Sequence, residues 1–158
     1  MSITAQIAKH LRDVHFGLNW TWSNLRDQLS GLSWQQANTR VHDFNTIVAL
    51  VYHIHYFVHA LLQVMKGGPL DAHDKYSFDH PPIQSAADWE ALLDTCWAEA
   101  EQLAQLIEHF PDERLHDTFV MEKYGTYYRN FHGLIEHAHY HLGQIVLIKK
   151  LVAASKAE

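Results

Sequence analysis

Cysteine is nearly absent from this chain: Cys96 stands alone among 158 residues. One thiol excludes a disulfide framework, a zinc ribbon and a Cys-x-x-Cys redox or haem site. Proline and glycine are sparse too, at four and seven, too few for an all-β sandwich with its frequent turns. Positive charge is also in deficit. Lys and Arg number 12 against 18 Asp and Glu, a net −6 with His neutral, which argues against a nucleic-acid partner. No Gly-rich phosphate loop and no His-Glu-x-x-His motif occurs. The first ten residues alternate polar and apolar and lack the unbroken apolar run of a signal peptide. What the chain has in excess is histidine, with fourteen.

From Phe44 to Met65 the sequence has no Asp, Glu, Lys or Arg, and that stretch is long enough to span a bilayer. It also holds Asn45, His53, His55, His59 and Gln63, all costly in hydrocarbon. The expectation is a heavily buried helix of a bundle, with no membrane partner, in a cytoplasmic protein.

Four segments carry apolar residues at a 3-4 spacing. The first runs Ile3, Ile7, Leu11, Val14, Leu18, Trp22, Leu25 and Leu29, ending at Gly31. The second runs from Ile47 to Val64 and stops at Gly67, Gly68 and Pro69. The third, Trp89 to Phe110, opens with Ser85 and Asp88 in a capping-box pattern and stops at Pro111. The fourth runs from Phe131 to Val152, after Gly125 and Thr126. Four seams of this kind predict an all-α four-helix bundle, one domain over 1–158. A long crossover connection, Gly67 to Gln84, joins its second and third helices and crosses the bundle or covers one end.

At about 100° per residue, each histidine has a direction relative to its own seam. On the fourth helix His141 lies about 30° from the seam centre and His137 about 70°, whereas His139 lies about 130° away. On the second helix His53 lies about 70° off and borders the core, while His55 at about 130° and His59 at about 170° face solvent or a partner. His137 and His141, one turn apart, can therefore reach one point, with a core-facing His53 on a neighbouring helix. Three imidazoles with one coordination position left open suit a divalent metal of catalytic type. Core histidines hydrogen-bonded to carbonyls or tyrosines would give the same spacing.

Two phrases resemble a known family. NTIVALVYHIHYFVHALLQVMKG, 45–67, looks like the second helix of the DinB-like (YfiT-like) metal-binding four-helix bundles. GLIEHAHYHLGQIVLIKKL, 133–151, resembles their last helix, with its H-x-x-x-H-x-x-Q pattern. The resemblance places the family's metal ligands on His53, His137 and His141, the residues the angular argument selects. It implies zinc, nickel or iron as the metal and a homodimer. It also implies, for some members, chemistry with a low-molecular-weight thiol.

Other constellations are weaker. A ferritin-like di-iron site fails because the second helix has no acid after Asp43, although Glu136-x-x-His139 matches one half-motif. Cys96 on the third seam reads as a small hydrophobe. His10 and His15 each lie about 70° off the first seam, and His15 could supply a fourth ligand. Gln144 reads as an outer donor to the site or a surface amide. Tyr124, Tyr127, Tyr128, Trp20 and Trp22 read as core and rim, some of them lining a pocket above the metal if one end of the bundle is open. The stripe His132, Ile135, His139, Leu142 and Val146 is too apolar for solvent and is the expected dimer contact.

The expected function is a metal-dependent enzyme, of hydrolase or thiol-transferase type, acting on a small molecule. A non-catalytic metal-binding or structural dimer is the alternative. No carboxylate stands out near the seams as a general acid or base, so the catalytic residues are unknown at this level.

Overall fold

The computed structural model describes residues 1–154; residues 155–158, the end of the expected domain, lie outside the described residues. The helices are α1 (Ile3–Phe16), α2 (Leu25–Leu29), α3 (Trp34–Asn38), α4 (Ile47–Met65), α5 (Ala86–Glu108) and α6 (Tyr127–Ala154). Among the described residues the only β pairing is an isolated bridge between Thr118 and Thr126. The four long helices form a ring in which α1 and α4 each pack against both α5 and α6. This is the expected all-α bundle.

Polar caps explain where the helices begin. Ser2, Asn24, Ser33, Thr46 and Ser85 each accept a hydrogen bond from a backbone N–H inside the first turn, satisfying donors that the helix itself leaves unpaired. At α5 the cap differs in detail from a capping box. Ser85 accepts from Asp88 N, but the Asp88 carboxylate takes the N–H of Gln84. Far along the chain, the Asp112 carboxylate accepts from Ile3 N, Thr4 N and the Thr4 hydroxyl at 2.7–2.9 Å. A loop thus anchors the start of α1.

The first seam is not one helix. It breaks at Gly17, whose φ of 124° is unfavourable for any residue with a Cβ. Asn19 holds the break open, donating from Nδ2 to the carbonyls of Asp13 and Ser23 and accepting from Thr21 N. Local side-chain bonds of this kind compete with the helix ladder. As a result Leu18, Trp20 and Trp22, expected in the core or at its rim, are exposed at 83%, 98% and 88%.

Helix α4 is apolar on nearly every face and is the one described helix long and apolar enough to cross a membrane; most of it is buried against its neighbours. The expected dimer stripe on α6 is also corrected. Ile135 and Leu142 are buried within one chain, and Val146 packs against the same core. Helix α1 lies against α6, so the 3-4 seam marked only part of what α6 buries.

Phe131 is 1% exposed and packs edge-on to Phe110. Phe131→Ala is expected to destabilise the chain by about 3–5 kcal/mol. Trp20→Ser should change stability by less than about 0.5 kcal/mol. Chemical denaturation of the two variants checks both.

Candidate metal centre

His53 lies on α4, and His137 and His141 lie one turn apart on the adjacent α6. Their Nε2 atoms converge: that of His137 sits 3.0 Å from Nε2 of His53 and 3.0 Å from Nε2 of His141. Two nitrogens bound to one ion at about 2.0–2.1 Å, at angles between octahedral and tetrahedral, sit about 2.9–3.4 Å apart. His53 is 5% exposed and His141 8%.

The outer nitrogens decide which inner ones carry lone pairs. The Ser77 hydroxyl donates to the carbonyl of Asp74 at 2.7 Å, so its oxygen accepts the Nδ1–H of His53 at 2.8 Å. The Gln144 carbonyl oxygen accepts the Nδ1–H of His141 at 2.7 Å. Each ring therefore has its proton on Nδ1 and a lone pair on Nε2. His137 Nε2, with its own proton, satisfies one of these lone pairs and leaves the other facing it, while its buried Nδ1 has no partner. A cation at this point would be held by the Nε2 lone pairs of His53, His137 and His141, with the His137 proton then on Nδ1. The donor set fits a divalent transition metal.

Aromatic walls fix the rings. Phe78 stacks on His53 with centroids 4.0 Å apart and planes 6° from parallel. Phe57 meets His53 and His137 edge-on at 5.2 and 5.0 Å. Burial, reinforced by the charges of the neighbouring rings, pushes His137 down to about 4. Burial first and His141 second lower His53, and burial lowers His141. All three rings are held neutral, the form that can ligate.

A cleft of about 720 Å³ opens over His53 and His137, within the range of small-molecule sites. Phe57, Leu61 and Leu134 supply apolar wall, and Asp74, Arg129 and Glu136 supply charge. Tyr128, one of the aromatics expected at the core, its rim or a pocket above the metal, lies on the wall of this cleft.

Several placements differ from the sequence-based expectation. His55 does not face solvent: its side chain is 11% exposed, beside Glu99 of α5. His59 is half exposed against the same carboxylate. His15 is buried but is no fourth ligand; its Nδ1–H donates to the Leu11 carbonyl at 2.8 Å, and it lines a separate small cavity with His55 and Cys96. Gln144 serves the site as an acceptor, not a donor. Cys96 is buried, which pushes its thiol up to about 12. Ser77 and Phe78 went unnoticed because they lie in an irregular connection with no periodicity. The Ser77-Phe78 pair offered no signal until the fold laid it against α4.

An all-helical bundle with three imidazole nitrogens converging between two helices defines a class of histidine-site bundles. The family model described as the DinB superfamily matches residues 17–145, and the chain belongs to that superfamily, a metal-binding family. No curated protein and no solved structure matches the chain.

Alanine at His53, His137 or His141 is expected to abolish high-affinity zinc binding at this centre, and alanine at His59 to leave it unchanged. Ser77→Ala should weaken it by about 10–100-fold, through loss of ring orientation. Competition titrations with a chromogenic chelator measure each. The pH dependence has a definite sign. A His137 value lowered to about 4 means the unfolded chain takes up the proton first, so the centre's contribution to stability is complete above the ordinary histidine value of about 6.5 and declines as pH falls toward 4. The melting temperature of metal-loaded protein should fall toward that of stripped protein across this window. A gain from metal that persists unchanged at pH 4 would indicate carboxylate ligands.

Proposed function

We propose that the protein is a small metal-dependent enzyme whose centre is a divalent ion held by His53, His137 and His141. The observation that supports this best is the cleft that opens over His53 and His137, two of the three converging rings, since a structural metal site is closed by a fourth protein ligand. When bound, zinc, nickel or iron supplies Lewis acidity and lowers the pKa of a water or thiol ligand, giving a nucleophile near neutral pH.

The chain's own residues supply the rest. Asp74 and Glu136 place carboxylates on the cleft wall, the proton acceptors that the seams alone did not reveal. Arg129 offers a fixed positive charge to an anionic group of the substrate. Phe57, Leu61 and Leu134 receive an apolar body and exclude water. Cys96 cannot be the nucleophile, because it is buried and its thiol is held protonated. A thiol-transfer reaction would therefore draw its sulfur from a low-molecular-weight thiol entering the cleft. Hydrolysis uses the same arrangement with water.

Metal-loaded protein is expected to turn over members of a panel of thiol-transfer and hydrolysis substrates, and stripped protein to be inactive. Glu136→Gln should retain the metal and lower kcat by about 10²–10⁴-fold. Full metal occupancy with no turnover, and no saturable small-molecule binding in the cleft, would instead establish a non-catalytic metal-binding protein.

A further inference from the structure

Helix α4 carries a second histidine pair. His55 and His59 are four residues apart and so share one face, and α5 packs there and brings Glu99 between them. Glu99 Oε2 lies 2.8 Å from Nδ1 of His59 and 3.5 Å from Nε2 of His55. One ligand atom from each residue falls within 4.8 Å of the others. The Glu99 side chain is 19% exposed, and among the described residues the basic groups within 4.0 Å of its carboxylate are these two imidazoles.

As a hydrogen-bonded group this trio is poorly satisfied. His59 makes a sound bond to Glu99. His55 does not, since 3.5 Å is too long, and its buried Nδ1 has no partner either. A ring that is 11% exposed thus has no good hydrogen bond from either nitrogen. A half-withdrawn carboxylate is meanwhile left without a full counter-charge. Separations of 2.8 and 3.5 Å bracket the roughly 2.9–3.4 Å expected between two ligands of one ion.

We propose that His55, His59 and Glu99 form a second divalent-cation site, independent of the three-histidine centre and joining α4 to α5. Two imidazoles and one carboxylate select zinc, nickel or cobalt over magnesium or calcium. Half-exposed His59 leaves the remaining positions to water, so this ion exchanges readily and binds more weakly than the one in the cleft. Because the ligands come from two helices, the ion fastens them together and stabilises the folded chain.

The test removes the first centre and leaves α4 intact. A His137→Ala/His141→Ala protein, with its helical content verified by circular dichroism, is titrated with zinc up to about 100 µM. The expected result is one zinc per chain and a rise in melting temperature. Adding Glu99→Gln or His59→Ala should weaken binding at least roughly tenfold and remove that rise. Magnesium and calcium at millimolar levels should not compete. A double variant that binds no zinc, or whose zinc binding is unchanged by Glu99→Gln, overturns the proposal and leaves an ordinary ion pair between helices. If the double variant does not fold, stoichiometry in the otherwise unaltered chain decides. Two zinc ions should fall to one in Glu99→Gln, and an unchanged count overturns the site.

Discussion

Two imidazole lone pairs and the Nε2 of a third ring point at one another inside the bundle, each neighbouring pair 3.0 Å apart. Neutral rings alone cannot resolve that arrangement, because a single shared proton satisfies one lone pair and leaves another opposed. Every nearby feature serves to hold it. Ser77 and Gln144 fix the tautomers from outside, Phe57 and Phe78 fix the ring planes, and burial keeps the rings uncharged. The three rings offer a divalent cation one shared binding point.

The bundle and the three histidines were legible in the sequence because both follow from helical periodicity. His53, His137 and His141 could be located by counting 100° steps, since each sits on a helix whose apolar seam supplies a reference direction. The same counting failed where a helix has more than one buried side. It sent His55 to solvent or a partner, and Ile135 and Leu142 to a partner, although α5 and α1 cover those faces. It failed again at Gly17 to Ser23, where the apolar spacing continues but Asn19 and a positive φ end the helix. Periodicity reports where apolar residues lie, and it is silent on which neighbour covers them.

Irregular segments hid the other half of the centre. Asp74, Ser77 and Phe78 all belong to the connection between α4 and α5, which carries no repeating pattern. That connection cannot be short, because α4 and α5 run parallel, His59 meeting Glu99 and Lys66 meeting Gln102; on its way back along α4 it delivers the partner of His53 and one carboxylate of the cleft. The division of labour is physical. Helices place neighbouring nitrogens 3.0 Å apart, and a loop sets the tautomer of His53 and lines part of the cleft.

X-ray absorption at the metal edge of Glu99→Gln protein loaded with one equivalent of zinc, read in parallel with His141→Ala added, tests the three-histidine centre most directly. Three imidazole nitrogens at about 2.0–2.1 Å with one exchangeable water oxygen are expected. One imidazole should be lost in the variant. A first shell dominated by carboxylate oxygen or containing sulfur, or one unchanged by His141→Ala, would contradict it.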